Sequence, residues 1–177
     1  MTAGHGTLAL VGDIGATTAR LALARDGMPV PGTAARLATA DHASAEALLA
    51  AYLATQRAAP RRARLAVAGA VRDGSAWMRN RGWQIGAEAL AAALGLQHVL
   101  LMNDLQAQGL ALDRLSAAAQ DPLLSGTPEP GAARLVIGLG TGVNCAPVHR
   151  VPGAAAPFVP ATEGGAAALP VHDAESL

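Results

Sequence analysis

Every apolar run in this chain is short, and the polar clusters fall where the runs stop. "LALVGDI" passes directly into Gly15-Ala16-Thr17-Thr18, "HVLLM" into Asn103-Asp104, and "RLVIGLG" into Thr141-Gly142. A chain cut this way folds as strands with helices between them, because strands of five to eight residues need little sequence and a buried one reads as a continuous apolar stretch. Polar residues at strand ends are also where α/β folds gather ligand-binding side chains. The pattern therefore predicts an α/β protein whose chemistry lies along one edge of a sheet.

Composition limits what that chemistry can be. The 177 residues are 51% hydrophobic but only 2% aromatic, so the core must be built from Ala, Leu and Val. No apolar run approaches the roughly 18 residues that span a bilayer. The first residues, "MTAGHGTLALVGD", lack a basic stretch ahead of the apolar one, and the expectation is a cytoplasmic protein without an export signal or a membrane partner. Cys145 is the only cysteine, which leaves no internal disulfide and no cysteine-based zinc cluster within one chain. All thirteen basic residues are arginine. Without lysine there is no Walker-type P-loop, no protein-kinase active site and no pyridoxal Schiff base. Arg57, Arg61, Arg62 and Arg64 precede an apolar stretch in a chain of net charge zero, and they read as a solvated connection rather than a nucleic-acid patch.

Two runs, 8–14 and 19–24, flank the first polar loop as a hairpin, with a third strand expected at 33–39. "DHASAEALLAAYLATQR" opens on Asp and Ser and continues at helical spacing, predicting a helix over 44–56. "RLAVAGAV" reads as one buried strand, "GAEALAAALG" as a short helix ended by Gly95, and "HVLLM" as a further strand. A helix from Asn103 or Asp104 carries "LQAQGLALDRL". The segment "SAAAQDPLLSGTPEPGAA" is rich in Pro, Gly and Ser and marks a boundary or surface excursion. A second strand-loop-strand follows around Thr141.

Four clusters have the chemistry of a site. Asp13 ends a strand beside small residues and two threonines, which suits backbone N–H groups approaching an anion next to a metal-binding acid; satisfying a hairpin loop is the plainer alternative. Asn103 and Asp104 end a buried strand, where a helix cap is the competing role. Gly138, Gly140, Thr141 and Gly142 form a second glycine-rich loop, and Glu163 stands before two glycines; a hairpin turn and a surface acid are the alternatives there.

Taken together in this order, "GDIGATTAR", "LLMNDLQAQG", "IGLGTGVNCA" and "PATEGGAAAL" resemble the bacterial glucokinase family of the hexokinase/actin-like superfamily. That family shows an Asp-Val-Gly-Gly-Thr-Asn-Ala-Arg loop, an Asn-Asp-Phe, a Gly-Thr-Gly-Leu-Gly and a Glu-Gly-Gly-His. "MRNRGW", Met78 to Trp83, is similar to the family's Thr-Asn-x-x-Trp segment.

The resemblance implies an RNase H-like, actin-like ATPase fold, with residues 1–112 as the small α/β domain and 113–177 as the incomplete start of the large one. It implies transfer of the ATP γ-phosphate to the 6-hydroxyl of glucose or a related hexose. Asp104 would be the catalytic base; Asn103, Asp104 and Glu163 would bind the sugar. Gly15, Thr17, Gly140, Thr141 and Gly142 would cradle phosphate, and Asp13 would position Mg²⁺ through water. The resemblance is compatible with a homodimer and implies no nucleic-acid partner. The chain departs from the family at Ala16 for a Gly, Thr18 for Asn, Asn144 for a Gly and Ala166 for a His. Family members continue beyond Glu-Gly-Gly-His, so the resemblance implies a truncated product or fragment. A catalytically weak sugar- or nucleotide-binding relative is the alternative, and a carboxylate-dependent nuclease using Asp13, Asp104 and Glu163 is a third.

Overall fold

A computed structural model describes residues 6–127, 129–139 and 143–162. The chain divides into two compact units, Met1–Asp104 and Leu105–Leu177.

In the first unit, β1 (Leu8–Ile14) and β2 (Thr18–Arg25) form an antiparallel hairpin, with Ile14 opposite Ala19 and Asp13 opposite Arg20. The far side of β2 carries β3 (Met28–Pro29) near one end and β4 (Ala35–Ala38) near the other. The third strand is thus shorter than the expected 33–39. Thr33 lies before β4, where its hydroxyl donates to the Val30 carbonyl at 2.7 Å and accepts from the Leu23 N–H at 3.1 Å.

Helix α1 (Ala45–Ala54) follows, its first turn capped by Ser44, whose Oγ accepts from the Ala47 N–H at 3.2 Å. A side-chain oxygen at this position satisfies one of the N–H groups a helix start leaves without a partner. The chain then returns as β5 (Arg62–Val67), parallel to β1. The run "RLAVAGAV" is not one strand. It stops at Val67 and restarts as β6 (Ala70–Arg72), which joins β7 (Ser75–Met78) and β8 (Trp83–Gly86) in a separate three-stranded sheet. Gly69 lies at the break. A Cβ there would meet the Trp77 carbonyl oxygen at 2.3 Å, so only glycine allows this approach of backbone to backbone. Helix α2 (Ala87–Leu94) ends on Gly95 at φ 66°, a left-handed stop suited to glycine. Strand β9 (His98–Asn103) is parallel to β5 and leads into α3 (Asp104–Ala111).

The resulting six-stranded sheet has the order β3-β2-β1-β5-β9, with β4 on β2. One face supplies Leu10, Ile14, Leu21, Leu65 and Leu101 to a core completed by Leu48, Leu49 and Tyr52 of α1 and Leu90 of α2. Alternation does the sorting: residues one position along each strand point the other way, so Arg62 and Arg64 of β5 are exposed while Ala63 and Leu65 are buried.

In the second unit, α3 passes into a 3-10 turn at Leu112–Arg114, so the helix is shorter than "LQAQGLALDRL". Strands β10 (Arg134–Leu139) and β11 (Val143–Val148) pair antiparallel, and an isolated bridge joins His149 to Phe158. Leu105, Ala146, Val148 and Val159 form the core, with Leu112 and Val136 against it. The division falls at the start of α3 because the helix packs onto this unit: a Cβ on Gly109 would lie 2.8 Å from a Val159 methyl, and one on Gly138 would lie 2.9 Å from a Leu105 methyl. Among the described residues no helix is long and apolar enough to cross a membrane.

Candidate functional site

Three strands of the first unit run parallel and end on one rim. Asp13 on β1 lies level with Ala66 on β5, and Ala66 with Met102 on β9. Two inter-strand spacings are about 10 Å. The β1–β2 turn, the Ala68–Gly69 break and the Asn103–Asp104 junction therefore share the carboxyl edge of one sheet, the position at which open α/β sheets bind ligands.

The first of these turns is a tight one. The Gly15 N–H donates to the Thr18 carbonyl at 3.0 Å, closing a hairpin around Ala16 and Thr17. Ala16 is not among the residues at positive φ, so its methyl imposes no backbone strain of the left-handed kind. Both loop residues are tied from β4's end. Thr39, fully buried, donates from its hydroxyl to the Ala16 carbonyl at 2.7 Å and from its N–H to the Thr17 carbonyl at 3.0 Å.

Asp13 has one carboxylate oxygen 2.8 Å from an Arg20 Nη1, and its side chain remains 42% exposed. The pair is a direct cross-strand one, fixed by the hairpin register. The sequence reading passed over Arg20, yet a two-residue turn at Ala16–Thr17 places position 20 opposite position 13. Such an oriented, exposed carboxylate fits a hydrated Mg²⁺, which takes one or two carboxylates and leaves its other positions to water and phosphate. Among the described residues no three His, Cys, Asp or Glu side chains cluster to hold a metal by themselves.

Asn103, only 2% exposed, donates from its side-chain amide to the Gly69 carbonyl at 3.1 Å. This bond ties the end of β9 to the break after β5. Asp104 is the first residue of α3 and is half-buried. In the second unit, the Asn144 amide donates to the Thr162 carbonyl at 3.2 Å, and the Thr162 hydroxyl donates to the Cys145 carbonyl. These bonds hold the chain beside β11 immediately before Glu163. Gly140, Thr141, Gly142, Glu163 and Ala166 lie outside the described residues.

Asp113 accepts from Arg134 Nη1 at 2.8 Å and from Arg150 Nη2 at 2.7 Å. The hydrogen bond from Arg134, helped by the charge of both guanidinium groups, holds its carboxyl below the usual carboxylate range. This trio ties the turn after α3 to β10 and to Arg150, two residues beyond β11.

An acid at one strand end and an Asn-Asp pair at another thus share one rim of the sheet, and comparison with known proteins gives the family. The model of the family described as Glucokinase matches residues 10–177. The chain belongs to the glucokinase family. It is 39% identical over 140 residues to a glucokinase of Rhizobium meliloti, covering 77% of this chain and 41% of that protein. With a glucokinase of Mesorhizobium japonicum the identity is 37% over 138 residues, 77% of this chain and 40% of the relative. A crystal structure of glucokinase from an Antarctic psychrotroph superimposes with a TM-score of 0.76 at 29% identity, over 96% of this chain and 54% of that one. The chain thus spans about two fifths of the length of the curated relatives it matches. The glucokinase of Balamuthia mandrillaris, solved in complex with glucose, shares the fold at a TM-score of 0.61 and 22% identity.

Proposed function

We propose that this chain carries the catalytic edge of an ATP-dependent hexose kinase, transferring the γ-phosphoryl group of ATP to the 6-hydroxyl of glucose or a related hexose in the cytoplasm. The observation that carries the reading is the shared rim: Asp13, the Ala16–Thr17 turn, Asn103 and Asp104 all lie at the carboxyl edge of one sheet in a member of the glucokinase family. Residues 1–112 are read as the small α/β domain of such an enzyme and 113–177 as the start of the large one.

Phosphoryl transfer passes through a loose transition state, so the protein contributes alignment and charge rather than covalent chemistry. Asp104, at the head of α3, takes the proton from the attacking hydroxyl. Asn103, fixed to Gly69, and Glu163 hold hydroxyls of the sugar. Gly15, Thr17, Gly140, Thr141 and Gly142 receive the phosphates. Asp13 would hold a hydrated Mg²⁺, which would supply neutralisation of the phosphate charge.

The test is a coupled assay of glucose-dependent ADP formation by the 177-residue chain and its Asp104→Asn variant, beside titrations with glucose and with Mg·ATP. The reading expects turnover that Asp104→Asn abolishes while both ligands still bind, since an amide retains the shape of the carboxylate but cannot accept the proton. Full activity in Asp104→Asn would remove the base from Asp104. Binding without any wild-type turnover would make the chain a sugar- or nucleotide-binding relative.

A further inference from the structure

The phosphate role given above to the Ala16–Thr17 turn raises the question of what aims its backbone. We propose that Thr39, which lies outside every motif in the sequence, and Arg81, within "MRNRGW", are positioning residues that set the direction of this turn's N–H groups; the inference rests on the reading of the turn as a phosphate cradle.

Both carbonyls of the turn accept from the same residue. Thr39 reaches Ala16 with its hydroxyl at 2.7 Å and Thr17 with its N–H at 3.0 Å. In a planar trans peptide the carbonyl and the following N–H point in opposite directions. Pinning the Ala16 carbonyl on Thr39 therefore turns the Thr17 N–H away from Thr39. A turn of small residues without such a tie could present a carbonyl instead, which repels an anion.

Thr39 is itself held from outside. Its own carbonyl accepts from Arg81 Nη2 at 2.9 Å and from the His42 N–H at 3.3 Å. Arg81 lies 42 residues further on, in the 3-10 turn between β7 and β8, and its guanidinium stacks over the Trp83 ring at 5.3 Å. Its Nε is buried with no hydrogen-bond partner among the described residues. A buried unpaired donor is costly; what holds the guanidinium against that cost is the Trp83 face and the Thr39 carbonyl. The chain of contacts runs Trp83, Arg81, Thr39, Ala16–Thr17, all within the first unit. It links the segment that resembles the family's Thr-Asn-x-x-Trp to the turn beside Asp13, and Arg81 is the only side chain in that segment shown reaching Thr39.

The experiment compares the 177-residue chain with Thr39→Val, Thr39→Ser and Arg81→Met. Amide hydrogen exchange is followed in a peptide covering residues 15–19 and in one covering β9, and affinities are titrated with Mg·ATP and with glucose. Thr39→Val keeps the shape but leaves the Ala16 carbonyl without its donor, a loss on the scale of a buried hydrogen bond. The expected result is faster exchange at 15–19 with β9 unchanged, and about tenfold weaker Mg·ATP binding with glucose binding unaltered. Thr39→Ser restores both, and Arg81→Met gives the same split to a smaller degree. Unchanged exchange at 15–19, or equal loss for both ligands, overturns the positioning role. Wild-type protein that fails to bind Mg·ATP overturns the phosphate reading instead, and the exchange data alone then decide whether Thr39 sets the turn. Should Thr39→Val not fold, Arg81→Met decides by the same two readouts.

Discussion

Among the described residues each unit covers one face of its principal sheet and leaves the other open, and the two open faces differ in their charge. In the first unit the uncovered face carries Arg36, Arg20 and Asp13 in one row across β4, β2 and β1, with Arg64, Arg62 and His98 beyond them. Charged side chains on such a face are solvated by water, and the antiparallel part, β4-β2-β1, is of the kind that commonly has one wet side. In the second unit the uncovered face of β10 and β11 presents Leu135, Ile137, Leu139 and Val143, each between 55% and 80% exposed. A two-stranded hairpin is marginal even with one face packed, and here the packed face rests on Leu105, Ala146, Val148 and Val159. The comparison teaches where the fold's stability resides: the first unit closes its core around its own helices, and the second has apolar surface that its described residues do not use.

The largest expected effect comes from cutting into the closed core. Leu65, fully buried at the centre of β5, should lose about 2–5 kcal/mol of unfolding stability on replacement by Ala, the transfer and cavity terms acting together. Ile137→Ala, on the bare face of β10 and 57% exposed, should change stability by no more than about 0.5 kcal/mol. Denaturant titration of the two variants checks this, and equal losses would show that the β10 face is covered in solution.

A smaller effect is expected at Tyr52, whose hydroxyl donates to the Thr33 carbonyl at 2.8 Å inside the first unit. Tyr52→Phe should cost about 0.5–1.5 kcal/mol. Burial raises the phenol's pKa above its ordinary value near 10.0, partly offset by its hydrogen bonds. The native state therefore holds this proton longer than the unfolded chain does, and the contribution is complete below about pH 10 and lost as pH rises through the native value. Tyr52 is the only tyrosine, so the phenolate absorbance band reports this group alone. A titration midpoint at or below that of free tyrosine would contradict the burial.

The smallest effect belongs to the second unit's ion trio. Asp113 has its pKa lowered by Arg134 and Arg150, so its contribution is present above the unfolded carboxylate value, roughly pH 4, and fades as pH falls through the lower native value. Asp113→Asn should flatten that acid dependence of stability and leave the alkaline side untouched.

Much of this was legible in the residues. The hairpin of 8–14 with 19–24, the helix beginning at Ser44 and the start of a helix at Asp104 follow from local signals, because apolar runs and cap chemistry act within a few positions. The motifs gave the family because they are short and ordered along the chain. What could not be read is long-range. The break at Gly69 exists because the backbone of β7 presses against it and Asn103 bonds to its carbonyl, and neither partner is near in sequence. Thr33 spends its hydroxyl on Val30 and Leu23 instead of extending β4. Thr39 belongs to no motif, and nothing in "MRNRGW" tells that Arg81 reaches it, since their partners are set by the fold. Arg20 was recoverable from the hairpin register, had the tightness of the turn been recognised.

The contrast between the two units is tested most directly by native-state amide hydrogen exchange on the intact chain. Local stability should follow the closed core: amides of β1, β5 and β9 are expected to exchange only through global unfolding, and those of β10 and β11 through a separate opening at lower free energy. Equal protection across both sheets, lost together in a single transition, would contradict the account.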